Sequence, residues 1–349
     1  MHSLSRGALF VILTLLALQP CKTFAQSETI LVVTGSSMPE PLYRAWADEY
    51  HKQNPSIQIR YLAVGTSESA QDILKGSGDF GGGEAPLSVA EEGANLHVLQ
   101  LPAVLIGIVV VYNLPQTPSE LRLTGKVLAD IYLGKIKQWN DPAIARLNAG
   151  LKLPDLPVRV FHRSAGKGSN YIFSGYLSKV SPEFLSSVGH GDSPKWPVGD
   201  SIQRSQDLHE KVAATPGAIG YTELNLAAAA SLHMALIQNA AGDFVKPTKQ
   251  AIAQAALVDA GKSPASSRAS LINAPGKGVY PISSYSWIYV PAVAKDPQRG
   301  RAVAEFLKWT YGSGQIVAEQ LVCHSSTRDP SRGCIQGWRS AIRSTVRGL

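Results

Sequence analysis

The stretch Val160–Phe173, VFHRSAGKGSNYIF, is the part of the sequence around which the predicted fold is organised. It predicts a strand that ends at Arg163, a glycine-containing turn, and an amphipathic helix that Ser169 or Asn170 would cap. The N–H groups of a first helical turn lack intrahelical partners and lie at the positive end of the helix dipole. The stretch therefore predicts an anion site, although an ordinary strand–turn–helix with solvated basic residues shows the same pattern.

Two basic side chains would strengthen such a site. Arg163 offers a planar fork of N–H donors that matches carboxylate and phosphate oxygens, and Lys167 adds a second positive charge. Gly166 and Gly168 allow the backbone to approach a small ligand closely. His162 alternates with Arg163 along the strand, so we expect its side chain to face the other way and to pack in the core.

Composition and the N-terminus indicate an exported globular protein. The chain has 349 residues, of which 44% are hydrophobic and 17% charged, and this length predicts two domains. Residues 1–25 have the pattern of a signal peptide, with an apolar run Ala8–Leu18 and cleavage after Ala25. A lipoprotein attached through Cys21 is less favoured, because Pro20 precedes this cysteine. We expect the mature protein in the periplasm.

The charge of the chain is concentrated near its C-terminus. Removing residues 1–25 lowers the net charge from +7 to +5, since they hold two basic residues and no acidic one. Five arginines and one aspartate follow Cys323, so the rest is nearly neutral and predicts no nucleic-acid surface. Cys323 and Cys334 are the cysteines left after processing, and in an exported protein they favour a disulfide.

Several strand-like runs end in glycine or small hydroxyl residues. Glu28–Thr34 and Ile57–Val64 are followed by Gly-Ser-Ser and Gly-Thr-Ser, and the glycines Gly81–Gly83 are followed by a glutamate. The carboxyl ends of strands in an α/β sheet are where ligands bind. The apolar runs Ala103–Tyr112 and Ser286–Val290 predict two further buried strands, which could connect two lobes.

Seven segments occur in the order found in one protein family. They are TGSSMPEPLYRAWADEY, GTSES, DFGGGEAPLS, DIYLGKIKQWNDPAIARLN, HRSAGKGSNYIF, TPGAIGYTE and YPISSYSWI. Together they resemble the periplasmic phosphate-binding component of bacterial phosphate ABC importers, over roughly residues 29–315. Asp130–Ile144 is the most diagnostic part, and Pro216–Tyr221 supports it.

This resemblance implies an α/β fold of the periplasmic-binding-protein type, a two-lobed clamp with two strand crossovers. The implied lobes are 27–112 plus 283–349, and 113–282. The implied function is to capture inorganic phosphate between the lobes and to deliver it to an ABC permease in the inner membrane. We expect a monomer without catalytic activity, cofactor, metal or nucleic-acid partner.

The resemblance also implies the ligand set. Glu84 would be the single hydrogen-bond acceptor for phosphate, among donors from three strand ends. The implied phosphate-binding residues are Ser37, Met38, Thr66, Glu84, Arg163, Lys167, Gly168 and Ser169.

The chain departs from the family pattern at the site itself. Glu84 replaces an aspartate, Ala165 replaces an aspartate beside the arginine, and Lys167 replaces a serine. These changes leave open a different oxyanion or an organophosphate as the ligand, and a sensor or surface protein without a transport role. A hydrolase is disfavoured, because the sequence has no HExxH, GxSxG or Walker-type motif.

Overall fold

The computed structural model describes residues 28–87, 98–115, 120–259 and 270–318. The strands in these residues are β1 (Thr29–Gly35), β2 (Ile57–Ala63), β3 (Phe80–Gly83), β4 (Val98–Tyr112), β5 (Arg122–Leu123), β6 (Arg159–Arg163), β7 (Asp200–Ile202), β8 (Ala218–Glu223), β9 (His233–Met234), β10 (Leu236–Gln238), β11 (Phe244–Val245) and β12 (Ser283–Pro291). The helices are α1 (Glu40–Gln53), α2 (Thr66–Leu74), α3 (Gly125–Tyr132), α4 (Pro142–Leu147), α5 (Gly168–Val180), α6 (Pro182–Ser187), α7 (Ser205–Ala214), α8 (Leu224–Ala229), α9 (Lys249–Asp259) and α10 (Pro297–Tyr311).

A curled sheet in the order β2-β1-β3-β12-β4-β8-β6-β7 forms the centre of the molecule, and a small sheet, β11-β10-β5, lies apart from it. The first part of the large sheet has β1 parallel to both β2 and β3. Helix α1 covers it with an apolar face that includes Tyr43, Trp46 and Tyr50, because residues three or four positions apart lie on the same side of a helix. Pro41 fits the first turn of α1, where its missing N–H costs nothing.

Strand β4 is the structural link between the two halves of the sheet. Its residues 98–107 pair antiparallel with β12, and its residues 108–112 pair antiparallel with β8. The four side chains from Ile108 to Val111 are fully buried, which explains the continuous apolar run in the sequence. One strand therefore connects the two halves of the sheet, and the two-lobed α/β fold predicted from the sequence is confirmed.

The second lobe has an aromatic core beneath β6 and β8. Phe173 of α5 stacks on Tyr221 of β8 at a centroid distance of 4.1 Å, and Tyr132 of α3 meets Phe173 edge-on at 4.8 Å. His162 is buried and stacks on Trp196, as the alternation along β6 predicts. This packing fixes the direction in which α5 begins.

Element ends differ from the sequence prediction by a few residues. Strand β4 begins five residues earlier than the predicted strand Ala103–Tyr112, at Val98. Helix α8 stops at Ala229, because the chain turns there into β9. The predicted signal peptide and the predicted Cys323–Cys334 disulfide lie outside the described residues. Among the described helices, none is long and apolar enough to cross a bilayer.

Asp79 connects β1 to α10 through hydrogen bonds, and a substitution at Asp79 tests how much this connection stabilises the fold. Its carboxylate accepts the Val32 N–H at 2.6 Å and two N–H groups of Arg299 at 2.7 and 2.6 Å. We expect Asp79→Asn to lower the free energy of unfolding by about 1–3 kcal/mol in urea denaturation, because a charged acceptor is lost from a mostly buried position. Glu49→Gln, which breaks the exposed pair with Lys52, should have a much smaller effect on the free energy of unfolding. Equal effects of the two substitutions would contradict this account.

Candidate anion-binding site

Three strand ends and three helix starts meet between the lobes. Strand β1 leads through Ser36 to α1, β3 leads directly to Glu84, and β6 ends at Arg163 just before α5. Helix α2 begins at Thr66, beside the same point. Because β1 and β3 are parallel, their carboxyl ends lie at the same edge of the sheet. Gly168, which follows β6, lies directly against Glu84 at that edge, so residues that are distant in sequence become neighbours. The starts of these helices also present N–H groups and a positive dipole end.

Glu84 is the most deeply buried group of the site, with none of its surface exposed. Thr66 Oγ1 donates to Glu84 Oε2 at 2.8 Å, and Ser286 Oγ donates to Oε1 at 3.1 Å. The Ser36 hydroxyl is a third donor. Burial raises the pKa of Glu84 to about 7, and the three hydroxyl hydrogen bonds limit this rise. A carboxylate in this setting is an acceptor held in place by hydroxyl donors from three separate segments of the chain.

The Glu84 carboxylate lies directly against the start of α5 in the other lobe. A Cβ atom built on Gly168 would be 1.8 Å from Glu84 Oε2 and 2.7 Å from Thr66 Oγ1. Nearby, a Cβ on Gly65 would be 3.2 Å from the Gly166 carbonyl oxygen. At Gly168 only glycine leaves room for the Glu84 carboxylate, and Gly65 has a positive φ beside the Gly166 carbonyl, so the lobes are in contact at these glycines.

A second contact between the lobes runs through Asp192. The Ser67 hydroxyl of α2 donates to Asp192 Oδ2. The Asp192 carbonyl in turn accepts the Gly166 N–H at 3.0 Å and the Asn170 side-chain amide at 2.9 Å. The turn before α5 is thereby fixed both to its own lobe and to α2.

The start of α5 differs from the sequence prediction. Lys167 occupies the N-cap position, with no side-chain cap hydrogen bond, so the prediction that Ser169 or Asn170 caps the helix is wrong. The Asn170 amide donates instead to the carbonyls of Arg163 and Ser164, because Asn170 lies inside the first turn of the helix. Ser169 is left with a buried hydroxyl that has no hydrogen-bond partner among the described residues.

Arg163 is buried at the end of β6, and only 3% of its surface is exposed. Its Nε donates to the Ile202 carbonyl at 3.3 Å, Nη2 donates to the Gln203 carbonyl at 2.8 Å, and Nη1 donates to Ser205 Oγ. A guanidinium has five N–H groups. These contacts use three of them, so one N–H on each terminal nitrogen can still serve an anion.

Lys167 is partly buried next to Arg163. Burial lowers the pKa of Lys167, the neighbouring Arg163 charge lowers it further, and Glu68 acts in the opposite direction. Two like charges held this close favour an anion between or beside them.

The structure brings together six of the residues predicted for the site and places two differently. Thr66, Glu84, Arg163, Lys167, Gly168 and Ser169 lie at the contact between the lobes. Ser37 is exposed, and the preceding Ser36 is the hydroxyl that faces Glu84. The Met38 N–H donates to Ser36 Oγ at 3.3 Å.

Four polar residues near the site were not predicted from the sequence. Ser286 and Glu223 are buried at strand positions, whereas Asp192 and Ser205 come from the loop before β7 and the start of α7. A buried serine and glutamate inside apolar strands are a signal that could have identified the first two. No local sequence pattern identifies Asp192 or Ser205. No cluster of possible metal ligands occurs among the described residues.

Comparison with known proteins places the chain in a family. A model described as a PBP superfamily domain matches residues 22–313. The chain is 36% identical over 326 residues to the phosphate-binding protein PstS of Pasteurella multocida, covering 93% of this chain and 94% of that protein. The chain belongs to the PBP superfamily. Within it, the chain belongs to the same family as this PstS relative.

Solved structures agree with the superfamily fold. An ABC-type phosphate transport receptor from Vibrio cholerae matches with a TM-score of 0.58 and 17% identity, over 83% of this chain and 97% of that one. A phosphate-binding protein from Stenotrophomonas maltophilia matches with a TM-score of 0.60 and 18% identity, over 89% and 93%. At these identities the likeness shows the fold alone.

Gly168 tests the contact between the lobes. Gly168→Ala adds a methyl group where Glu84 and Thr66 already lie, and we expect it to hold the lobes apart. Small-angle X-ray scattering should then show a larger radius of gyration. Gly191→Ala is the matched control, since its Cβ would meet only Ser193 N, at 3.9 Å. An unchanged radius in Gly168→Ala, with normal secondary structure, would rule out the contact.

The raised pKa of Glu84 predicts a pH-dependent stability. Its pKa is about 7 in the folded protein against an ordinary value of 4.5, so the folded state binds more protons between these pH values. The quantity to compare is the free energy of unfolding of the parent minus that of Glu84→Gln, measured in phosphate-free buffer. This difference should fall by about 3 kcal/mol as the pH rises from 4.5 to about 7.

The comparison needs a second carboxylate as its control. Glu210→Gln removes an exposed carboxylate on α7 and should give a much smaller pH-dependent difference. Urea denaturation at several pH values measures both. A Glu84→Gln difference that is constant with pH would show that this carboxylate is not buried as described.

Proposed function

We propose that this protein is an extracytoplasmic solute-binding protein that captures inorganic phosphate between its lobes and delivers it to an ABC permease. The lobes are 27–112 with 283–349, and 113–282, and the strands β4 and β12 lie at their junction. Residues 1–25 direct export to the periplasm, where the protein acts as a monomer without catalysing a reaction. The PstS relatives support this proposal by name, at high coverage.

The observation that supports an anion site most strongly is the Ser169 hydroxyl. It is buried, it lacks a partner among the described residues, and it lies in the first turn of α5. A buried polar group without a hydrogen bond is costly, so such groups indicate a missing partner. The neighbouring donors are the helix N–H groups, Arg163 and Lys167, and together they suit a small anion with several oxygens.

Glu84 makes the proposed site selective for an anion that bears a proton. When ionised, Glu84 can only accept hydrogen bonds, whereas the other proposed ligands are donors. Hydrogen phosphate can donate its proton to Glu84, but sulfate would place an oxygen lone pair against the carboxylate. Sites that leave a buried polar group unpaired reject an analogue by roughly 10⁴-fold or more.

One observation favours a second candidate. Ala165 is exposed and carries no charge, and Lys167 lies beside Arg163, so the site holds more positive charge than a single arginine provides. A more highly charged oxyanion or a small organophosphate would also fit this charge. The titration below distinguishes the two candidates.

Calorimetric titration at pH 8, where Glu84 is mostly ionised, tests the function. We expect the parent to bind phosphate and to reject sulfate, and Arg163→Ala to weaken phosphate binding by at least ~2 kcal/mol. Glu84→Gln should reduce the ratio of phosphate affinity to sulfate affinity, because an amide can donate to either anion.

The outcomes separate the alternatives. Equal binding of phosphate and sulfate by the parent would reject the proposed role of Glu84. Tighter binding of an organophosphate than of phosphate would favour the second candidate. Arg204→Ala serves as the control, since this exposed arginine pairs with Asp207 outside the site and its loss should leave phosphate affinity unchanged.

A further inference from the structure

Glu223 is a second buried carboxylate near the site, and the proposed function does not account for it. It lies at the carboxyl end of β8 with 3% of its surface exposed. Thr222 Oγ1 donates to Glu223 Oε2 at 2.7 Å, and Ser205 Oγ donates to Oε1 at 3.4 Å. Its charge reaches the site, since Glu223 contributes to the raised pKa of Glu84.

The two hydroxyls fix the direction of the surrounding hydrogen bonds. A hydroxyl has one proton, and Ser205 and Thr222 each use theirs on Glu223. Ser205 Oγ must therefore accept from Arg163 Nη1, and Thr222 Oγ1 must accept from His209 Nε2 at 2.7 Å. Burial lowers the pKa of His209, which suits the neutral tautomer with its proton on Nε2.

Ser205 and Glu223 connect the Arg163 guanidinium to a negatively charged group. Its other two described contacts are backbone carbonyls of Ile202 and Gln203, which carry no full charge. A buried cation is costly unless it is paired and hydrogen-bonded. Arg163 donates to Ser205, and Ser205 donates to the Glu223 carboxylate. This chain of hydrogen bonds links the guanidinium to a negative charge and favours one orientation of the guanidinium.

We propose that Glu223 is a positioning residue that acts through Ser205 to hold the Arg163 guanidinium in the orientation that binds the anion. This inference rests on the proposed function. Ser205 is the connecting group, and Thr222 with His209 hold the other oxygen of the carboxylate. Glu223 does not touch the anion in this account.

The sign of a substitution effect distinguishes positioning from simple charge. A carboxylate near an anion site repels the anion, so removing its charge alone should tighten phosphate binding. Loss of the correct Arg163 orientation should instead weaken phosphate binding. Glu223→Gln cannot accept from both hydroxyls, because its amide nitrogen is a donor, and the Ser205–Arg163 bond loses its fixed direction.

The test is phosphate titration at pH 8. We expect Glu223→Gln and Ser205→Ala each to weaken phosphate binding about tenfold, and Ser205→Thr to restore it by returning the hydroxyl. Asp207→Asn is the matched control. Asp207 also faces the Arg163 charge, but it is bonded to exposed Arg204, so its loss should leave the affinity unchanged or slightly tighter.

A double-mutant cycle excludes a general structural effect. In an Arg163→Ala background, Glu223→Gln should cause no further loss of phosphate affinity, since the positioning runs through the missing arginine and only the repulsion by the Glu223 charge remains to be removed. Fully additive losses, or tighter binding by Glu223→Gln alone, would overturn the proposal. Circular dichroism and thermal unfolding confirm that each variant is folded.

A measurement without phosphate keeps this inference separate from the proposed function. In the anion-free protein, the Arg163 Nε–H proton should exchange with solvent faster in Glu223→Gln and Ser205→Ala than in the parent or Asp207→Asn, as seen by NMR. Faster exchange supports positioning even if the parent binds no phosphate, which would reject only the proposed function. Unchanged exchange in both variants would overturn the positioning role.

Discussion

The site depends on one buried carboxylate in contact with a helix start. Glu84, at the end of β3, is entirely buried against Gly168, the first residue of α5 in the opposite lobe. Removing a carboxylate from water is expensive, and the raised pKa of Glu84 reflects that cost. Hydroxyl donors on Ser36, Thr66 and Ser286 offset it. The result is a fixed acceptor in a region that otherwise presents donors and positive charge.

The sheet explains how such distant residues come together. Strand β4 pairs with β12 over residues 98–107 and with β8 over residues 108–112, so it connects the two halves of the sheet. The ends of β1, β3 and β6 then lie at the junction. A rigid hydrogen-bonded connection of this kind allows the lobes to meet at a defined place, here the glycines before α2 and α5.

The parts of the candidate site that depend on strand ends could be predicted from the sequence. Arg163, Glu84 and Thr66 each lie at or just after a predicted strand end, next to glycines, a pattern visible without a structure. The choice between Ser36 and Ser37 was not visible, because it depends on how β1 turns into α1, where the Tyr61 hydroxyl donates to the Ser36 carbonyl at 2.6 Å. Ser205 also escaped prediction, since only the packing of α7 beside β6 and β8 brings it to Arg163.

A crystal structure of the protein with phosphate at pH 8 tests the central claim most directly. The account predicts that one phosphate oxygen lies about 2.5–2.7 Å from a Glu84 oxygen, as in charge-assisted O–H···O⁻ hydrogen bonds. The same phosphate should accept hydrogen bonds from Arg163 and Ser169. Phosphate bound elsewhere, or bound between the lobes with Glu84 contacting only Ser36, Thr66 and Ser286, would contradict it.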